Sequence, residues 1–252
     1  MTVSSDIPIG AGMGSSAAFA VAMSAAVHLI RQMRTNQQNL QLDYDAINMW
    51  AFKLERLFHI NPSGVDNTVC TKGGFVSFQG GVVQSLSTVN LRPPRILIVD
   101  TGVTRETSRM VGFVRSRWEC QQDVVAPILD AIDAISHQIS RMPEDYETVR
   151  RLLTMNHWLL AALGVSHPTL DSIVQKAAEH GQAAKLTGAG GGGLALIWID
   201  PQATDAAVVT LQQQLKSQGW NSWNARLGVP GVSIITIGCT WVDYFLLLCR
   251  LV

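Results

Sequence analysis

Neither sign of charge is in excess: nineteen basic and nineteen acidic residues leave the 252-residue chain with formal net charge zero. That removes the usual electrostatic argument for a nucleic-acid or anionic membrane partner, so any anion must be held by local groups. Cysteine is scarce, and Cys70, Cys120, Cys239 and Cys249 show neither CxxC nor another zinc-ligand spacing. Reduced thiols of a cytoplasmic protein are the simplest account, and a disulfide framework is not expected. His28, His59, His137, His157, His167 and His180 form no HxxxH or similar ligand pair, which favours structural or surface roles. The opening MTVSSDIP lacks the basic and apolar blocks of a secretion signal. TWVDYFLLLCRLV, near the other end, is too short for a bilayer span and is broken by Asp243 and Arg250, so it reads as a tail or a small packing segment. The seven tryptophans show no basic clustering and read as core or interface material.

With 47% hydrophobic residues the chain can build one large domain or two modest ones. Thr2 to Ser5 reads as a short strand running into a glycine turn, then an Ala-rich helix runs from Ser15 to about Met33. A second helix is expected from Asp43 to His59, stopped by Asn61-Pro62. Phe75–Phe78 and Val82–Leu86 flank Gly80-Gly81 as a hairpin, and Arg95–Val99 is a further strand. Helices follow at about 105–119, 124–141, 144–163 and 168–180, then strands at 184–186 and 194–199, a helix near 204–218, and strands at 220–226 and 232–237. The pattern is α+β in two layers, with a first domain over 1–90, a second over 105–237 and a tail over 238–252.

Three stretches carry chemistry. Gly10, Ala11, Gly12, Met13, Gly14, Ser15 and Ser16 form a glycine loop feeding a helix, where unpaired amides and the macrodipole favour an anion. The loop lacks the GK[ST] ending of a Walker motif and misses the dinucleotide fingerprint by one residue, and on its own it is equally a good helix entry. Ser16 could coordinate Mg²⁺. Glu55, in the last turns of its helix, is by default a solvated surface acid, yet with Ser16 it would make the small oxygen set that Mg²⁺ takes. Asp66, in NPSGVDN at 61–67, is either an acid favoured at a helix start or the proton acceptor for a substrate hydroxyl. Thr187 to Gly193 holds too many glycines to continue a strand or to serve as a tight turn, which argues for a ligand at the backbone; the alternative, a flexible linker, sits oddly between two strands that read as buried.

On GAGMGSSAA at 10–18, KLTGAGGGG at 185–193, ERLFHINPSGVDN at 55–67, LLAALGVSHPTLD at 159–171 and VPGVSI at 229–234, the chain resembles the galactokinase, homoserine kinase, mevalonate kinase and phosphomevalonate kinase superfamily, on its mevalonate kinase branch. The resemblance runs to about Ile237 and implies the GHMP kinase fold: a partial ribosomal-S5-domain-2-like first domain and an α+β second domain. It implies ATP and Mg²⁺ as cofactors, mevalonate as substrate, 5-phosphomevalonate on the way to isoprenoids and sterols as product, and a cytoplasmic homodimer needing neither nucleic acid nor membrane. Carried over residue by residue, Gly10 to Ser16 cradle the phosphates with Ser5 nearby, Ser16 and Glu55 hold Mg²⁺, and Asp66 is the catalytic acceptor. Gly188, Gly190 and Gly191 close on the phosphates, and Arg105 and Thr107 line the substrate side. Family members carry over a hundred further residues ahead of the position of Met1, including a phosphate-facing lysine, and Leu54 and Ile60 stand where they have glycine. The expectation is therefore an amino-terminally truncated form of low activity. The alternatives are another kinase of the superfamily or a catalytically dead fragment that binds nucleotide or a full-length subunit.

Overall fold

The computed structural model describes residues 3–5, 7, 13–35, 40–59, 62–86, 94–104, 107–141, 145–237 and 244–248. The chain divides into two compact units, 1–93 with 227–252, and 94–226.

The first unit is built on helix α1 (Ser15–Arg34), whose alanines let α2 (Tyr44–Phe58) and α3 (Val65–Lys72) approach closely. Ala17, Ala20, Val21, Ala25, Ile47, Ala51 and Val232 form its core. Asp43 caps α2 by accepting from the Ala46 amide at 3.0 Å, one of the hydroxyl or carboxylate caps that hold helix starts. Strands β1 (Phe75–Gln79) and β2 (Val82–Leu86) pair antiparallel with Gln79 opposite Val82. Gly80 and Gly81 both have positive φ, +58° and +83°, as a two-residue hairpin turn matching the strand twist requires.

The second unit lays helices and a sheet together. Strand β3 (Arg95–Asp100) lies centrally between β5 (Leu194–Trp198) and β6 (Asn221–Arg226), and β4 (Ala183–Leu186) is an edge beside β5, giving the antiparallel order β4-β5-β3-β6. Helices α4 (Thr107–Cys120), α5 (Gln122–Arg141), α6 (Tyr146–Ala162), α7 (Pro168–Glu179) and α8 (Asp205–Ser217) complete it. Leu170, Ile173 and Ala177 of α7 and Val208, Leu211 and Leu215 of α8 pack with Leu97, Val99, Leu186, Ala195 and Ile197 of the sheet into one core.

Three expectations need correction. Val3 to Ser5 pair with no described strand, so the short opening strand does not form there; Thr2 lies outside the described residues. A single extended run without a partner leaves its ladder groups unpaired, and strand structure requires the partner. The stretch from Leu227 belongs with the first unit: Gly73 and Pro230 form a bridge, the Val232 amide donates to the Cys70 carbonyl at 2.9 Å, and Val232 is buried beside α1. Beyond it, Tyr244–Leu248 is a strand, β8, paired antiparallel with β7 (Ser233–Ile237).

Candidate active site

Helix α1 starts at Gly14, which has φ +70° and leaves no side-chain cap on the first amides. Uncapped amides at a helix start are an anion site in waiting. Ser16, in that first turn, places its Oγ 3.3 Å from His59 Nε2. His59 ends α2 and its amide donates to the Glu55 carbonyl at 2.8 Å, so Glu55 lies one turn earlier on the helix that faces Ser16. Glu55 is only 4% exposed, and its Oε1 is buried without a hydrogen-bond partner among the described residues. The surface-acid reading of Glu55 is thereby overturned. A carboxylate withdrawn from water with no counter-charge is costly, and a cation beside it removes the cost. This donor set, one buried carboxylate on α2 and a hydroxyl in the first turn of the helix packed against it, fits a hard cation that keeps most of its waters and takes few protein oxygens. No cluster of three metal-binding side chains occurs among the described residues, as such a cation does not need one.

Asp66 lies in the first turn of α3, exposed, and its carboxylate takes no hydrogen bond or ion pair among the described residues. What fixes its place is the opposite face of α3. Asn67 Nδ2 donates to Asn48 Oδ1 at 2.5 Å, the Asn48 amide donates to Thr68 Oγ1 at 3.3 Å, and the Thr68 hydroxyl donates to the Gly64 carbonyl at 2.6 Å. Lys72 pairs with Asp45 at 2.8 Å. Gly73 then ends the helix so close to the returning chain that a Cβ there would lie 2.3 Å from the Gly231 nitrogen. Ser5 makes only a local turn, with the Ile7 amide donating to its Oγ at 3.2 Å. Gly10, Ala11 and Gly12 lie outside the described residues, as does Arg105; Met13, Gly14 and Ser15 lead into α1.

In the second unit the glycine loop is held from two sides. Gly191 donates to the Val165 carbonyl at 2.8 Å, Gly193 donates to the Val103 carbonyl at 2.8 Å, and the Thr101 hydroxyl donates to the Gly193 carbonyl at 2.7 Å. A Cβ at Gly190 would fall 1.9 Å from the Val165 oxygen, one at Gly191 2.8 Å from Met110 Sδ, and one at Gly192 2.7 Å from the Val103 oxygen. Part of the glycine demand is therefore protein against protein, a reason the sequence alone did not supply. Gly188, Ala189, Gly190 and Gly192 donate their amides to no described acceptor, and Gly188 is exposed. Thr107 opens α4 one turn before Met110, so it stands at the end of the helix that touches this loop.

Sequence reasoning missed His59, because its partner is forty-three residues away, and it missed His157 in the second unit. His157 is wholly buried, and burial holds its imidazole below the ordinary histidine range. Burial also pushes Lys185, just ahead of the glycine loop, down to about 8.

A mixed two-unit chain carrying these loops belongs to a known class: residues 1–74 match the GHMP kinases N terminal domain and residues 129–217 the GHMP kinases C terminal domain, and the chain is a member of the GHMP kinase family. Within that family it is similar to mevalonate kinase of Bos taurus, 40% identical over 94% of this chain and 63% of that protein, and to mevalonate kinase of Mus musculus, 41% identical over 92% of this chain and 63% of that protein. The chain thus spans a little under two thirds of these relatives. The crystal structure of L. major mevalonate kinase in complex with R-mevalonate superposes with a TM-score of 0.73 at 26% identity, over 86% of this chain and 66% of that one.

Proposed function

We propose that the chain phosphorylates mevalonate with ATP, giving 5-phosphomevalonate and ADP. The observation that carries the reading is the buried Glu55 carboxylate, whose Oε1 has no partner among the described residues, on the helix whose end meets the Ser16 hydroxyl at an uncapped helix start. Its similarity to mevalonate kinases along nearly its whole length supports the choice of acceptor.

In this reading the first amides of α1 bind phosphate oxygens, a task for which backbone N–H groups need no reorganisation; within the second unit the amides of Gly188, Ala189, Gly190 and Gly192, which donate to no described acceptor, suit the same kind of ligand. Glu55 and Ser16 would hold Mg²⁺, which when bound screens the phosphate charge. Asp66 accepts the proton of the acceptor's primary hydroxyl as its oxygen attacks the γ-phosphorus; the new O–P bond forms, the bond to the bridging oxygen breaks, and ADP leaves with that electron pair. An exposed carboxylate with no competing partner among the described residues is suited to this. Thr107 and Arg105 would contact the acceptor. The reading extends to a cytoplasmic homodimer acting early in isoprenoid and sterol synthesis, which the resemblance alone supports.

The test is ADP release by the purified chain with Mg²⁺ and ATP against mevalonate, phosphomevalonate, galactose and homoserine. Preference for mevalonate supports the proposal. Preference for another alcohol, or no acceptor-dependent ADP release, removes it.

A further inference from the structure

The second unit contains a part-buried side-chain network, centred on the buried His157, that the proposed chemistry does not use. His157 projects from α6 and makes two hydrogen bonds of fixed sense. Its Nδ1 lies 3.3 Å from the Leu186 nitrogen, whose N–H can only donate, so Nδ1 must be the bare acceptor. The proton of the neutral ring is therefore on Nε2, 3.1 Å from Asp171 Oδ1, to which it donates. The same Asp171 oxygen accepts from the Ser166 hydroxyl at 2.5 Å.

Each end of this network bears on the glycine loop. Leu186 is the last residue of β4, an edge strand, and the next residue begins the loop; the Thr187 amide turns inward to the Leu194 carbonyl at 3.1 Å, while the Leu186 amide turns outward to the imidazole. Ser166 follows Val165, whose carbonyl receives the Gly191 amide and blocks any Cβ at Gly190. One carboxylate in the first turns of α7 thus links the strand that enters the loop, through His157, with the carbonyl on which the loop rests, through Ser166.

We infer that His157, Asp171 and Ser166 are positioning residues that set the conformation of the glycine loop 187–193 and hence the direction of its free amides. The assignment to phosphate binding rests on the function proposed above; the control of loop conformation does not. Breaking the network lets the Val165 peptide rotate and the β4 end fray, and the loop loses its register while the core of α7 and the sheet, made of Leu170, Ile173, Leu97 and Ile197, stays in place.

The experiment is amide hydrogen exchange, read by mass spectrometry on peptides covering 186–194, in the full chain without nucleotide, for wild type, Ser166→Ala, Ser166→Thr, Asp171→Asn, His157→Asn and His157→Gln. Loss of one such hydrogen bond is expected to speed exchange of the loop peptide about tenfold in Ser166→Ala and Asp171→Asn, with peptides from α8 unchanged. Ser166→Thr, which keeps the hydroxyl, is expected to restore protection. Asparagine at 157 can keep the acceptor for Leu186 and glutamine the donor for Asp171, so each is expected to restore part of it. Unchanged loop exchange in both Ser166→Ala and Asp171→Asn overturns the inference, and so does a uniform rise across the whole unit, which would mark a merely structural role. ATP affinity measured on the same samples separates the two claims. A loosened loop with weaker ATP binding and an unchanged acceptor KM supports both; a loosened loop with unchanged ATP binding leaves the positioning role standing and removes the phosphate assignment.

Discussion

Glu55 and Asp66 are both helical acids, and their surroundings give them opposite properties. Glu55 is buried with an unpartnered oxygen, so it costs stability whenever nothing cationic is bound. Replacing it with glutamine removes the charge at constant shape. Glu55→Gln is expected to raise the stability of the ligand-free protein by about 1 kcal/mol and to abolish most of the extra stabilisation that Mg²⁺ with ATP gives over ATP alone. Thermal unfolding of both proteins with and without the metal reads this, and an undiminished metal effect would take Glu55 out of the metal site. Asp66 stabilises little, since it is exposed and has no partner among the described residues. Asp66→Asn is expected to change unfolding free energy by less than about 0.5 kcal/mol in urea titration while lowering kcat about a hundredfold or more. Near-normal turnover in that variant would eliminate it as the proton acceptor.

At the scale of elements, the sequence was most legible where the determining chemistry is local. Asp43 before α2, Gly80-Gly81 between β1 and β2, and Pro168 at the start of α7 each act within a few residues, and each stands where the reading put it. The glycine run was legible only in part: its length argued for a ligand, but the positions of Val165, Met110 and Val103 against it depend on contacts across long stretches of chain. The Ser16–His59 and His157–Leu186 pairs escaped for the same reason, since neither partner's neighbourhood in sequence names the other. Helix α3, which carries Asp66, shows how such remote contacts matter. Its end is pinned where Gly73 has φ +72° and no room for a side chain against Pro230 and Gly231. Gly73→Ala adds both left-handed strain and a clash with backbone that cannot rotate away, and it is expected to destabilise the first unit by about 3 kcal/mol. Urea unfolding would check it, with Gly74→Ala as the comparison: Gly74 has φ +73° with nothing near its missing Cβ, so it should cost only the strain, about 1 kcal/mol.

For the molecule as a whole, the division into units was the least legible feature. VPGVSI carries no mark that the chain has left the second unit, and only the packing of Val232 beside α1 reveals it. That division makes the pH response of the second unit separable, because His157, Lys185 and Tyr146 all belong to it. His157 is held below its ordinary value by burial, so between that lowered value and about 6.5 the unfolded chain binds a proton that the folded unit refuses; stability is full above 6.5 and falls as pH drops. Lys185 is pushed down to about 8 from 10.5 by burial. Between those values the unfolded chain again holds the extra proton, so stability rises as pH climbs from about 8 toward 10.5. Tyr146 opposes this at the top of the range: burial raises it to about 12 from 10.0, so above pH 10 the unfolded chain sheds a proton that the folded unit keeps, and stability declines. The second unit is therefore expected to be more stable at pH 9.5 than at pH 8, an alkaline gain that Lys185→Met should erase while also raising stability at pH 7, where the buried ammonium is a cost. Calorimetry of both proteins across pH 5 to 10 reads the slopes, and an alkaline rise of equal size in Lys185→Met would show that some other group produces it.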